Sequence, residues 1–355
     1  MIFGNSYRKI PGISRLSRFL GAKQPAQLAS IKGAWIANQP HSQFLTSKEN
    51  IKQGLEQIVK AGFNTLFPVV WTRGYTLYPS QVMTAYGFAE IAPFYSGQNR
   101  DPLRELITET KQYDLKIVPW FEYGFAASHL RNGGHLIEQY PHWRGLDYQG
   151  ATLVHGGLTW LNSFHPEVQE FLQQLVLEVL ANYDVAGFQG CDRFPAAPVQ
   201  GGYDKYTVSR YQAEFGQLPP QNYRDAQWVQ WRSKLLTEFL ANLVSEVKTS
   251  RPQAIVSLAP AVYPFCRDRL LQDSRTWVAQ ELGDWIHPQI YRANFGRYRH
   301  EVNQIKKQFD PQHWPKFAPG IALKANNQLL SDRDLAKCCQ LNRQVGFAGE
   351  VIFYY

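Results

Sequence analysis

Apolar residues recur along this chain in two rhythms: short continuous runs of strand length, and faces spaced i, i+4, i+7, i+8 as on a helix. The first run, Gly33-Ala34-Trp35-Ile36-Ala37, ends in the polar cluster Asn38-Gln39-Pro40-His41. Ile51, Leu55, Ile58 and Val59 then share one helical face. This helix starts after Thr46-Ser47, an N-cap signal with Glu49 in the first turn, and stops at Gly62. A near-continuous apolar run at 63–70 reads as a parallel strand covered on both faces. Asp101-Pro102 opens the next helix, with Pro at its first position. Further strands are predicted at 115–121, 185–190, 254–258, 285–290, 317–322 and 351–355. Helices are predicted at about 165–182, 205–215, 226–249 and 331–345.

Eight strands alternating with seven helical zones predict a (β/α)8 TIM barrel, whose chemistry sits on the loops after the strands. A mixed α/β sheet is the structural rival. The helix that should follow the eighth strand is missing, so either the chain is cut there or residues 1–30 cover that flank. Those residues are basic and irregular, with a short helix expected near 13–20, and are read as an extension preceding a barrel at 31–355. A long loop at about 71–100 follows the second strand, and the loop from 122 to about 162 is too long for a simple connection and reads as functional. Repeats of 20–50 residues, the mark of solenoids and propellers, do not occur.

The barrel topology filters the acidic residues. Glycosidic cleavage needs a proton donor and a second carboxylate across the scissile bond, and only strand C-termini face the active end. Asp192, after Gly190-Cys191, and Glu122, after Trp120-Phe121, pass this filter; Asp284 and Glu350 precede their strands and read as bottom-face residues. Asp192 reads as general acid or nucleophile beside Arg193, or else as a plain salt bridge with it. Glu122, walled by aromatic neighbours that raise a carboxyl pKa, reads as a proton donor, a substrate-orienting group or a structural carboxylate. Around them Arg73 and Arg193 are expected to bind substrate, Arg73 through a hydroxyl or carboxylate. Tyr78, Trp120 and Tyr291 are expected as sugar platforms, and Asn38, Gln189 and Lys324 as hydroxyl partners. For each of these, core packing or loop pinning is the bland alternative.

Composition adds two things. Ten Trp and nineteen Tyr suit both a large core and the stacking of sugar rings. The net charge of +8 favours anionic partners, yet no run of like charge forms a binding arm, and the basic stretch from Arg292 to Arg299 is spaced like a solvated helix face. A nucleic-acid partner is therefore not expected. The cysteines Cys191, Cys266, Cys338 and Cys339 show no CxxC or Cys/His spacing. His129, His135, His142 and His155 share one loop without a zinc pattern, so no metal is expected, and no cofactor fingerprint is present. No run of apolar residues is long enough to span a membrane or serve as a signal peptide. The chain thus reads as cytoplasmic, or as periplasmic or extracellular if a leader was removed.

Several segments together resemble the glycosyl hydrolase-like 10 family. They are Gly33-Ala34-Trp35-Ile36, Ala61-Gly62-Phe63-Asn64-Thr65, Arg73-Gly74 with Leu77-Tyr78-Pro79-Ser80, Asp101-Pro102-Leu103, Pro119-Trp120-Phe121, Leu161-Asn162 with His165-Pro166-Glu167-Val168, and Tyr183-Asp184-Val185-Ala186-Gly187. The resemblance runs in order from about residue 31 and thins after residue 265. It implies a bacterial TIM-barrel glycoside hydrolase fold, with some relatives acting on cell-wall glycans and many carrying an export signal. The family often has two adjacent Asp residues after strand 4; here Cys191 stands at the first position and Asp192 at the second. Where many relatives have Asn after the Trp-Phe of strand 3, this chain has Glu122. The expected function is cleavage of a polysaccharide or oligosaccharide by Asp192 and Glu122. The alternatives are a catalytically silent carbohydrate-binding barrel and, further off, a binder of anionic polymers.

Overall fold

The computed structural model describes residues 30–38, 42–325 and 328–353. The helix expected near 13–20, the cover expected from residues 1–30 and the Gln39-Pro40-His41 part of the first polar cluster lie outside them. Eight strands carry the fold: β1 (Ile31–Ile36), β2 (Thr65–Pro68), β3 in two pieces (Lys116–Ile117 and Trp120–Phe121), β4 (Gly187–Gly190), β5 (Ile255–Leu258), β6 (Trp285–Ile286), β7 (Gly320–Ala322) and β8 (Gly349–Phe353). All pair in parallel. They form a five-stranded sheet ordered β7-β8-β1-β2-β3 and a four-stranded sheet ordered β3-β4-β5-β6.

Two seams join these sheets in the strand order of a (β/α)8 barrel. At the first, β3 itself passes from one sheet to the other through Val118-Pro119. Proline has no N–H for the ladder, so the strand splits there, while its carbonyl still accepts from Gln189 N at 2.8 Å. An isolated bridge, Val69 to Trp120, reinforces the crossing. At the second seam, β6 and the residues after it meet β7 through the isolated bridges Ile286–Phe317 and Gln289–Gly320, with Gly320 N donating to Pro288 O and Ile290 N to Gly320 O, both at 2.9 Å.

The helices predicted within the described residues form where the sequence places them. Ser47 caps α1 (Lys48–Lys60) by accepting from Asn50 N at 3.1 Å, and Asp101 caps α2 (Pro102–Thr110) by accepting from Arg104 N at 3.0 Å. Ile51, Leu55 and Ile58 are buried, but Val59 is 36% exposed, so the buried stripe of α1 is narrower than its periodicity suggests. The outer layer continues with α3 (Pro166–Asn182), α4 (Ala226–Ser250), α5 (Ser274–Ala279), α6 (Phe295–Gln308) and α7 (Asp332–Val345). Glu350 lies inside β8 rather than before it. It is buried at the strand's N-terminal end and held by Asn342 and Arg343 of α7, which keeps it off the active end.

The barrel interior is polar as well as aromatic. Trp35 Nε1 donates to Gln189 Oε1 at 2.5 Å, and Gln189 Nε2 donates to Ser257 Oγ at 2.9 Å. His287 Nδ1 faces the Ala318 carbonyl at 2.7 Å, which can only accept, so this nitrogen carries the proton and Nε2 accepts from Ser257 Oγ at 2.9 Å. Within this Trp35–Gln189–Ser257–His287 network every polar side-chain atom has a partner, as burial demands. A second, smaller core follows β4, where Phe164, Tyr211, Trp228 and Trp231 pack together. Arg232 is fully buried there, and its guanidinium donates to the carbonyls of Val199, Gly201, Tyr223 and Trp228 rather than to a carboxylate. Burial pushes its pKa down to about 9.

Candidate active site

The site is built from the loops that leave β2, β3 and β4. Glu122 directly follows β3 and is 4% exposed, and its Oε2 accepts from Thr72 Oγ1 at 2.9 Å. Asp192 follows β4 two residues beyond its end and is only partly buried. Between them lies Arg193. Its Nη2 is 3.7 Å from Glu122 Oε1, its Nη1 is 3.9 Å from Asp192 Oδ1, and its Nε donates to the Glu122 backbone carbonyl at 2.7 Å. One guanidinium, only a few ångströms across, therefore touches both carboxylates predicted from the sequence.

The electrostatics follow from this geometry. Burial raises the pKa of Glu122, while Arg193 and the Thr72 hydroxyl pull it back and Asp192 adds a further upward push. Burial works against the charge of Arg193, but Asp192 and Glu122 outweigh it and its pKa is raised. The guanidinium also lies 5.3 Å from the centre of the Tyr123 ring, and the Tyr123 hydroxyl is 2.6 Å from His129 Nε2. Arg73 acts on both Glu122 and Tyr123. It sits exposed at φ 55° in the turn between the short strands Trp71–Thr72 and Tyr75–Thr76.

Two details fix the loops against each other. Gly124 has φ 48°, and a Cβ there would collide with the Arg193 carbonyl oxygen, which accepts from Phe125 N at 2.9 Å. Only glycine allows this approach. The Cys191 thiol donates to the Glu122 carbonyl at 2.8 Å, and burial pushes its pKa up. The residue at the first family Asp position is thus a buried thiol that braces the backbone of the other loop, with no thiolate to offer.

The remaining predicted residues divide. Asn38, Tyr291 and Lys324 stand at the strand C-terminal rim, after β1, β6 and β7. Asn38 is half-buried and Lys324 exposed, while the half-buried Tyr291 ring stacks on Phe353 with centroids 5.6 Å apart. Three expectations need correction. Gln189 is enclosed in the barrel, its amide consumed by Trp35 and Ser257, because the strand alternation turns it inward. Trp120 is 6% exposed, packed against Trp35 and Phe353 on the barrel axis, and forms floor rather than platform. Tyr78 is fully buried against α3, donating to Glu178 at 3.1 Å. The hairpin after β2 folds back, with Leu77 N donating to Val70 O at 2.9 Å, and carries Tyr78 off the mouth.

Thr72, Tyr123 and His129 belong to the site but escape a sequence reading. Thr72 and Tyr123 are each adjacent to a predicted residue, yet nothing in their spacing marks them, and His129 stands among several loop histidines. Two surface clefts lie elsewhere. One, of about 500 Å3, is at the N-terminal end of β3 to β5 beside Asp184 and Arg251; the other, of about 440 Å3, lies against α4 and α5 beside Trp231 and Asp273.

Comparison with known proteins places this geometry in context. The family model described as glycosyl hydrolase-like 10 matches residues 30–321. The glycosyl hydrolase DigH of Escherichia coli K12 is 24% identical over 328 residues, spanning 81% of this chain and 72% of that protein. The glycosyl hydrolase YngK of Bacillus subtilis is 23% identical over 289 residues, spanning 74% of this chain and 54% of the relative. Among solved structures, the PgaB (BpsB) glycoside hydrolase domain from Bordetella bronchiseptica superposes with a TM-score of 0.65 at 12% identity, covering 93% of this chain and 94% of that one. An alpha-L-fucosidase from Paenibacillus thiaminolyticus superposes at 0.61 and 12% identity, covering 92% and 46%. At such identities the structures speak for the shared fold alone.

Proposed function

The chain belongs to the glycosyl hydrolase-like 10 family, and from that premise we propose that it is a glycoside hydrolase cleaving a polysaccharide or oligosaccharide with Glu122 and Asp192. The observation that carries the reading is the pair of carboxylates at adjacent strand C-termini, both against the Arg193 guanidinium. Glu122 is the proton donor. Its burial raises its pKa, the condition for a carboxylic acid that keeps its proton until the leaving oxygen needs it. Asp192, closer to solvent, works from the other side of the scissile bond. It attacks the anomeric carbon if the two groups stand about 5–5.5 Å apart with substrate bound, or activates water if they stand about 6.5–9.5 Å apart. Arg73, Tyr291 and Lys324 then face the sugar hydroxyls and ring from the rim, and Asn38 joins them from β1.

The test is reducing-end release from a panel of glycans, including peptidoglycan strands stripped of peptide, by the parent protein and by Asp192→Asn and Glu122→Gln. Losses of about 10^2–10^4-fold in both variants, with the fold intact, are expected for a general acid and its partner. Full activity in either variant would remove that residue from the mechanism.

A second reading is favoured by one observation: Glu122 is enclosed, with Thr72 and Arg193 on its carboxylate. In that reading the barrel binds carbohydrate without turning it over. Saturable glycan binding with no release by the parent protein would select it.

A further inference from the structure

Away from the carboxylates, His142, His165 and Glu167 bring three potential ligand atoms within 4.8 Å of one another. They come from two supports. His142 lies in the 3-10 turn Pro141–Trp143, within the long loop after β3; His165 is the N-cap of α3, and Glu167 lies in its first turn. Both supports are anchored. Trp143 is fully buried and stacks on Tyr140 with centroids 4.4 Å apart, and the His165 backbone N–H donates to the Asn162 carbonyl at 3.1 Å. His142 Nε2 is 2.6 Å from Glu167 Oε2, and the two imidazole rings have centroids 5.4 Å apart.

His165 points to a ligand. An N-cap side chain ordinarily accepts from the first turn of its helix, but His165 makes no capping bond, and its Nδ1 is buried without a hydrogen-bond partner. Asp204, whose charge acts on that ring, has a second such atom: its Oδ2 is also buried and unpartnered, while its Oδ1 accepts from Thr207 N at 3.0 Å. Buried polar atoms are rarely left so.

We propose that His142, His165 and Glu167 bind one first-row divalent cation, with Zn2+ the best match, clipping the long loop after β3 to the start of α3. Two imidazole nitrogens and a carboxylate oxygen are the donor set of open zinc sites, with water in the fourth position, whereas Mg2+ and Ca2+ prefer oxygen alone. Bond lengths of about 2.0–2.2 Å place tetrahedral donors about 3.4 Å apart, so the His142–Glu167 pair opens slightly from 2.6 Å as the ion replaces their shared proton, and the third donor, now within 4.8 Å, closes in. The His142 side chain is 52% exposed, so the ion enters from solvent. Asp204 receives the remaining ring N–H of His165, the carboxylate–histidine–metal arrangement that orients a ligating ring. The expectation of no metal rested on histidines within one loop; the convergence with His165 is made by the fold.

The test uses the full chain without a histidine tag, stripped with chelator and titrated with ZnCl2 by calorimetry and with Co2+ by visible absorption. One site per chain is expected, with an intense low-coordinate Co2+ spectrum and a raised Tm in Zn2+. His142→Ala and His165→Ala each weaken binding at least about tenfold, and Asp204→Asn, which keeps the cap to Thr207, weakens it about 10–100-fold. His300→Ala, at an exposed position on α6, leaves it unchanged. Should an alanine variant fail to fold by circular dichroism, Glu167→Gln reads the same affinity. Binding of equal strength in the parent and the folded ligand variants, or no stoichiometric binding at all, would overturn the proposal.

Discussion

Arg193 holds Glu122 twice. Its Nε donates to the Glu122 backbone carbonyl at 2.7 Å, and its Nη2 stands 3.7 Å from the same residue's carboxylate. The first contact fixes where the acid stands, and the second sets how readily it gives up its proton. Asp192, 3.9 Å from the same guanidinium, completes a cluster in which one cation stands between two carboxyl groups of different burial.

The role of that cation is visible in a pH–rate profile. Arg193 lowers the pKa of Glu122 against the upward push of burial. Removing it in Arg193→Met raises that pKa further. A general acid acts only while protonated, so the alkaline limb of kcat/KM moves to higher pH in the variant. Arg193→Lys restores the charge and returns the limb towards the parent position. Turnover falls about 10^2-fold or more in the methionine variant. An unmoved limb would separate Arg193 from the titration of Glu122.

Gly124 tests the docking of the two loops. Gly124→Ala places a methyl against the Arg193 carbonyl at a positive φ, straining a position that only glycine occupies freely. A stability loss of about 1–3 kcal/mol in urea unfolding is expected, together with a loss of glycan release larger than that stability change explains at room temperature. Parent-like activity would show that the loop contact does not position the carboxylates.

The buried histidine of the barrel gives the fold its own acid sensitivity. Burial lowers the pKa of His287 to about 4, against 6.5 for the free side chain. Between these values the unfolded chain binds the proton and the native barrel does not, so stability is complete above pH 6.5 and is lost as pH falls towards 4. The full window is worth about 3 kcal/mol. In His287→Gln the difference in unfolding free energy between pH 7 and pH 4 should shrink by about that amount, whatever the variant's stability at pH 7. Denaturant melts at the two pH values measure it; an unchanged difference would assign the acid sensitivity to other groups.

All four cysteines are buried, and burial raises the pKa of each thiol, Cys266 to about 11 and Cys338 to about 12. Native protein should therefore react with a thiol-specific chromogenic reagent at no site within minutes, and at four sites in denaturant. A fast-reacting thiol in the native state would point first to Cys191 and to opening of the loop pair it braces.

How much of this was legible in the sequence depends on the kind of signal. Caps and helix starts such as Ser47 and Asp101-Pro102 are local chemistry, and they stand where the residues place them. Strand order follows from alternation of strand and helix, and it delivered Glu122 and Asp192 to one end. Tyr78, Trp120 and Gln189 were misread because a residue at or near a strand end has two sides to face. One position of strand alternation turns Gln189 and Trp120 inward, and a hairpin two residues long turns Tyr78 outward onto α3. Contacts between loops, such as Arg193 with Glu122 or Cys191 with the Glu122 carbonyl, join residues about seventy positions apart. No spacing within either segment encodes them.

The two seams of the barrel divide the labour of the cleft. Glu122 and Asp192 both leave strands of the four-stranded sheet, whereas of the rim residues Asn38, Arg73 and Lys324 leave strands of the five-stranded one and Tyr291 alone follows β6. Between the sheets run isolated bridges, with a few backbone hydrogen bonds, and one proline-broken strand. In the proposed hydrolase the acid and its counterpart would thus be carried by one sheet and most of the rim by the other, so a strain across the seams would shift the rim before it changed the spacing of the pair.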